Sequence, residues 1–416
     1  MRLLLTGFIL LSFISVRAAD IRFFSGSWEQ LLAEAKQQRK PIFVDIYTTW
    51  CTPCKQMDKY IFTEPSVSEK YNADFICYKL DAEKGEGIRI AKQYNITAYP
   101  TYLYLDPQGY PLHRAEGFFE APAFLAVAQR AISLSGDDNA LSFFEKEFNE
   151  GNREPAFLRK YIYKMNSLKL DNTSPLNAYF KVTAAAQLVS VKELTYLAEN
   201  ITSIHFRGLP FLLQHFGKLE KKEQQRLADR IYNSVLHNAT GLAWKEGRVA
   251  EMQQLLTYGI QLSPLLSARL RPGLDRNRLL YQAMVKDLPG LKSLSAAIAK
   301  PLLSISLDSI QREDTRRFKQ IMQPFFTGAQ DSTRIPGFAE ERKFAEHAYS
   351  GEINAKLYEL SMGLADNLDP RDPALKQALQ WINRADQILP GKPAITKLKE
   401  RLENMLDAPA ESPKRE

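Results

Sequence analysis

Residues 41–47, Pro-Ile-Phe-Val-Asp-Ile-Tyr, form a nearly continuous apolar run rich in β-branched and aromatic side chains. A strand with one wet face alternates in polarity. An unbroken run predicts a strand buried on both faces, as central strands of parallel sheets are. Four residues beyond Tyr47 comes Cys51-Thr52-Pro53-Cys54, and helical periodicity follows through Met57, Tyr60 and Ile61. The segment therefore predicts a buried strand, a short turn, and a helix whose first turn carries two cysteines. Asp45 is the anomaly, because a carboxylate in such a strand is costly to bury unless it is neutral, partnered or functional.

The flanking segments predict the rest of a domain over residues 20–135. Residues 21–24 read as a short strand. Ser27, with Gln30 three residues on, has the pattern of a capping box before a helix at 28–38. Glu64-Pro65 marks a break, since the residue before proline is pushed out of the α region. A short helix follows at 66–71, then a strand at 75–80 that contains Cys77, and a helix at 86–94. A strand at 101–105, the turn Asp106-Pro107-Gln108-Gly109 and a strand at 110–115 form a hairpin. A helix at 121–134 closes the unit. This β-α-β-α-β-α-β-β-α order predicts an α/β sheet covered by helices on both faces.

Cysteines in the first turn of a helix have a direct chemical meaning. Unpaired backbone N–H groups and the helix dipole favour an anion at that end. The thiolate that attacks disulfides is thereby stabilised at Cys51. Cys54, one turn later, is placed to attack a mixed disulfide formed at Cys51. Pro53 suits the first turn, where its missing N–H costs little. Two other roles compete. A structural disulfide here closes only a four-residue loop, worth about 2 kcal/mol against about 4.7 for a hundred-residue loop. Half a zinc site would need a second Cys or His pair, and the histidines at 113, 205, 215, 237 and 347 are scattered. The remaining cysteine, Cys77, lies in an apolar strand and reads as an inert buried thiol.

The string from Val44 to Lys55 resembles the active-site segment of the thioredoxin family, and Tyr99-Pro100-Thr101 resembles that family's cis-proline loop. Lys55-Gln56-Met57-Asp58 and Phe62-Thr63-Glu64-Pro65-Ser66-Val67 are similar to an exported bacterial branch, which includes the periplasmic domain of thiol–disulfide interchange proteins. The resemblance spans residues 21–135. It implies that Cys51 is the nucleophile and Cys54 the resolving thiol. It implies that Asp45 handles the Cys54 proton, that Lys79 pairs with Asp45, and that Trp50 shields the disulfide. Pro100 would face the disulfide in the cis form, and with Tyr99, Thr52 and Pro53 would border the incoming peptide. Thr52 replaces the glycine usual in cytosolic thioredoxins, and that dipeptide tunes redox poise. Pro53 and Asp45 lean towards a reductant; oxidants of this fold tend to carry histidine where Pro53 stands.

The 416 residues suit more than one domain. Residues 1–18 read as a signal peptide: Arg2, an apolar stretch, then Val16-Arg17-Ala18. That implies a soluble protein in the periplasm. Residues 135–139 mark a boundary, and 140–406 predict an all-α domain, a bundle or α-solenoid. Helical patterns recur at 157–165, 177–188, 224–236 and 250–258, with breaks near Asn172, Gly208, Gly241, Pro272, Pro289, Pro301, Pro324 and Pro336. Ala378, Ile382, Ala385 and Pro390 have the spacing of the second helix of a tetratricopeptide unit. Residues 407–416 read as a disordered tail. The net charge of +7 without a Lys/Arg run or basic–aromatic platform points away from nucleic acid. The sequence thus predicts a periplasmic protein-disulfide reductase that needs no metal or organic cofactor. Its partners would be disulfide-bearing clients and a membrane thiol donor. A disulfide oxidase or isomerase, or a helical scaffold with an auxiliary redox domain, are the competing readings.

Overall fold

The structure is a computed structural model that describes residues 20–134, 140–332 and 338–408. The chain divides into two compact units, one ending at Ile231 and one beginning at Tyr232. The signal-peptide stretch at 1–18, the boundary at 135–139, Pro336 and residues 409–416 of the tail lie outside the described residues.

The first unit is built on a four-stranded sheet. Helix α1 (Trp28–Gln38) starts at Ser27, whose Oγ accepts from the Gln30 N–H while its own N–H donates to Gln30 Oε1. Strand β1 (Ile42–Tyr47) follows, then α2 (Thr52–Gln56), which runs on as a π-helical turn over Met57–Ile61. Helix α3 (Pro65–Asp74) begins on its proline, the residue whose absent N–H the first turn does not need. Then come β2 (Ile76–Asp81), α4 (Glu86–Gln93), β3 (Thr101–Leu105), β4 (Pro111–Glu116) and α5 (Ala121–Ser133). The strand order is β2-β1-β3-β4, with β1 and β2 parallel and the other pairs antiparallel.

The pleat sorts β1 onto two cores. Ile42, Val44 and Ile46 pack with Trp28, Leu31, Ile90 and Leu103 on one face. Phe43 packs on the other with Met57, Ile61, Tyr71, Tyr102 and Phe124. Each fully buried large apolar side chain stabilises the fold by about 1.5–3 kcal/mol. Asp45 alternates with Val44 and Ile46, so it shares the Phe43 face, the one covered by the cysteine-bearing helix.

The strand expected at residues 21–24 is reduced to one parallel bridge between Phe23 and Cys77. The Phe24 N–H donates to Cys77 O at 2.7 Å, but the start of the segment is committed elsewhere: the Ile21 N–H donates to Phe62 O and the Arg22 N–H to Asn72 Oδ1.

Beyond the sheet the described chain is helical. In the first unit α6 (Leu141–Asn149), α7 (Pro155–Ser167) and α8 (Thr173–Val182) follow in order. The helix expected over 177–188 is two helices, because Thr183 turns extended and returns its Oγ1 to Tyr179 O before Ala185–Leu188 resumes. Gly241, Pro301 and Pro324, expected as breaks, lie inside helices Asn238–Lys245, Leu288–Leu303 and Leu307–Phe326. Each proline stands two residues from its helix's end, where it forfeits one hydrogen bond without interrupting the helix body. In the second unit Ala378, Ile382 and Ala385 are buried on helix Ala374–Ile388. The neighbouring Ala348–Asn367 helix approaches closely enough for Ser361 Oγ to donate to Ala378 O and Asn354 Nδ2 to Ala385 O. No helix of the described residues is long and apolar enough to cross a membrane.

Candidate active site

Cys51 and Cys54 are joined as a disulfide, with Cα atoms 5.3 Å apart. Strand β1 delivers the chain to this point, and Thr48 O accepts the Cys51 N–H in the intervening turn. Cys51 is the N-cap of α2, one residue before the helix the sequence placed there, with extended backbone. Its Sγ accepts the Cys54 N–H at 3.1 Å. A sulfur at the N-cap thus already receives a donor that a thiolate would use. Both cysteines are almost wholly buried, while Thr52 and Pro53 lie exposed between them.

Asp45 is 2% exposed, and its register partner across the β1–β2 ladder is Lys79. Lys79 Nζ lies 3.1 Å from Asp45 Oδ2 and also forms an ion pair with Asp58. The Lys79 ammonium lies 5.0 Å from the centre of the Tyr47 ring and 5.3 Å from that of Phe23. Burial pushes the Asp45 carboxyl up to about 6, against the pull of Lys79, and the nearby Asp58 charge adds to the rise. At Lys79 burial works the other way, but the charges and hydrogen bonds of Asp45 and Asp58 hold its ammonium above the usual lysine range. Burial dominates at Asp45 because its side chain is enclosed, whereas a quarter of the Lys79 side chain meets solvent.

The Tyr99–Pro100 peptide bond is cis. Pro100 is buried, and its carbonyl accepts the Gly117 N–H at 2.9 Å. Tyr99 meets Trp50 edge-to-face, ring centres 5.9 Å apart. Trp50 is 64% exposed, so it is not a core residue. Its Nε1–H donates to the Glu83 carboxylate at 3.0 and 3.1 Å, which fixes the indole beside the cysteine turn. Cys77 is buried apart from the pair; its thiol contacts Tyr71 O at 3.6 Å, and burial pushes it up to about 12. Among the described residues no group of three or more His, Cys, Asp or Glu side chains is placed to hold a metal ion.

Two members of this constellation escaped the sequence reading. Asp58 stands four residues beyond Cys54, a helical spacing that puts both on one face, so a search at i+4 would have found it. Glu83 lies in the loop after β2, and no periodicity marks it.

The model of the thioredoxin-like domain family matches residues 28–132. The thiol:disulfide interchange protein DsbD of Vibrio vulnificus is 32% identical over 123 residues, which is 29% of this chain and 20% of that protein. The protein of the same name from Escherichia coli K12 is 33% identical over 120 residues, 28% of this chain and 20% of that one. The chain therefore spans about a fifth of the length of the curated relatives it matches. Among solved structures, thioredoxin NaTrxh from Nicotiana alata is 30% identical over 28% of this chain and 96% of its own, with a TM-score of 0.23. Residues 28–132 of this chain thus form a thioredoxin-like domain, followed by a mostly helical remainder among the described residues.

Proposed function

We propose that the chain is an exported, periplasmic thiol–disulfide oxidoreductase that reduces protein disulfides. In this reading the Cys51 thiolate attacks one sulfur of a client disulfide; an S–S bond forms between them, and the second client sulfur leaves as a thiolate. The Cys54 thiol then loses its proton to the Asp45 carboxylate. The Cys54 thiolate attacks Cys51 Sγ, closing the Cys51–Cys54 disulfide and releasing the first client sulfur. Two electrons pass to the client, and protons from Asp45 and solvent complete its thiols. A membrane dithiol donor would restore the pair by the reverse exchange.

The observation that carries the proposal is the pairing of two features. A disulfide spans the first turn of a helix, and a buried carboxyl with an upward-shifted pKa lies on the β1 face that this helix covers. A base that titrates near 6 is suited to take and return a proton near neutral pH. Lys79 and Asp58 act through Asp45, as positioning residues. Trp50, Tyr99 and Pro100 would border the bound client peptide, with the exposed Thr52 and Pro53 between the sulfurs. Pro53 before the second cysteine supports the reducing direction, and the apolar stretch at residues 3–14 supports export.

The equilibrium potential against glutathione tests the direction. A value near about −270 mV supports a reductase, and one near about −120 mV would make the protein an oxidant instead.

A further inference from the structure

The turn after α7 reaches back to the loop that carries Pro100. Helix α7 ends at Ser167, and Lys169 has a left-handed backbone with φ of 55°. The Lys169 N–H donates to Asn166 O at 3.0 Å and the Leu170 N–H to Met165 O at 2.9 Å, which closes the helix end. Glycine is the residue this conformation favours, because a Cβ crowds the neighbouring carbonyl.

Both ends of Lys169 are engaged. Its carbonyl accepts Nδ2–H of Asn95 at 2.9 Å, and its ammonium is ion-paired with Glu116 Oε2. Asn95 opens the stretch that leads to the cis bond before Pro100. Glu116 ends β4, and the next residue's N–H, that of Gly117, binds the Pro100 carbonyl. Arg114 ties the two sides together. Its Nη1 donates to Tyr94 O at 3.0 Å and Asn95 O at 3.1 Å, and its Nε donates to Glu116 Oε1 at 2.8 Å. Burial by itself would raise the Glu116 pKa, but the Lys169 hydrogen bond and the Arg114 charge hold it below the usual range. Glu116 thus stays charged between a buried cation and a half-exposed one.

We propose that Lys169 is a positioning residue for protein substrates: it grips both anchors of the Pro100 loop, so the helical segment sets the edge on which a client peptide docks. This rests on the oxidoreductase reading above. A small disulfide that reaches the sulfurs without pairing to the loop backbone gains nothing from the grip. A protein disulfide does.

Lys169→Gly in the full chain permits the same left-handed backbone and carbonyl contact while removing the side chain and its ammonium. The KM for insulin reduction should rise about fivefold with kcat unchanged. Turnover of hydroxyethyl disulfide should stay as in the parent, and Lys169→Arg should restore the insulin KM to within about twofold. An unchanged insulin KM, an equal loss on both substrates, or no rescue by arginine would overturn the proposal. Amide exchange at Gly117, whose N–H bonds Pro100 O, gives an activity-independent readout. It should quicken in Lys169→Gly, and unchanged exchange would also overturn the proposal. If the parent reduced neither disulfide, the oxidoreductase reading would fall while the exchange measurement still decided the grip.

Discussion

The Lys79 ammonium lies 3.1 Å from Oδ2 of Asp45, its register partner on the adjacent strand, and the same ammonium is ion-paired with Asp58 on the cysteine-bearing helix. One cation therefore serves a buried carboxyl and a half-exposed one. The buried one titrates at about 6 rather than 3.8. In that interval the folded chain keeps a proton that the unfolded chain has released. The stability this contributes is fully present below about pH 4 and is lost as pH rises through about 6, a change on the order of 3 kcal/mol.

Asp45→Asn does not titrate. Relative to the parent it should gain stability as pH is raised from 4 to 7, by up to about 3 kcal/mol, measured by denaturant unfolding at each pH. The same variant should slow release of a mixed disulfide by about tenfold to a hundredfold at pH 7. A stability difference that does not change with pH would contradict the shifted carboxyl.

Cys54→Ser leaves Cys51 able to attack but removes the resolving thiol. Mixed with a disulfide-bonded client it should accumulate a covalent adduct at Cys51, visible by mass and reversed by dithiothreitol. Cys51→Ser should form no adduct and reduce nothing above background.

Glu83→Ala frees the Trp50 indole while leaving the cores intact. Stability should change by less than about 0.5 kcal/mol, as for other surface substitutions. The KM for a protein disulfide should rise about threefold, because the aromatic beside the sulfurs is no longer fixed. Steady-state kinetics with paired unfolding curves measures both.

Cys77 should be chemically silent. With its thiol pushed up to about 12, about a thousandth of the ordinary thiolate fraction remains at neutral pH. After gentle reduction, iodoacetamide at pH 8 should leave Cys77 unlabelled in the folded chain and label it only in denaturant.

Much of the domain was legible because local chemistry and tertiary demand agree in it. Ser27 and Gln30 mark the start of α1, and Pro65 the start of α3, by the hydrogen bonds a helix end requires. The unbroken apolar run of β1 announces burial on both faces, and Asp45 stands out against it. The misreadings share a different cause. Residues 21–24 have strand composition, and Phe24 does donate to Cys77 O, but the N–H groups of Ile21 and Arg22 are claimed by Phe62 and Asn72, partners remote in sequence. Pro301 and Pro324 are helix breakers in the middle of a helix and harmless near its end, and composition does not say where an end falls. The Lys79–Asp58 pair and the Trp50–Glu83 bond cross from one element to another, so no periodic pattern carries them.

Strands β2 and β4 are the two margins of the sheet, and each carries an ionic side chain turned towards protein: Lys79 on one, Arg114 on the other. Unprotected margins invite another chain to add a strand, and inward-turned charges are a known deterrent. The groups that tune the buried acid and the Pro100 loop are thus expected also to discourage self-association. Exchanging either for a neutral residue is expected to reduce solubility at high concentration, quite apart from any change in chemistry.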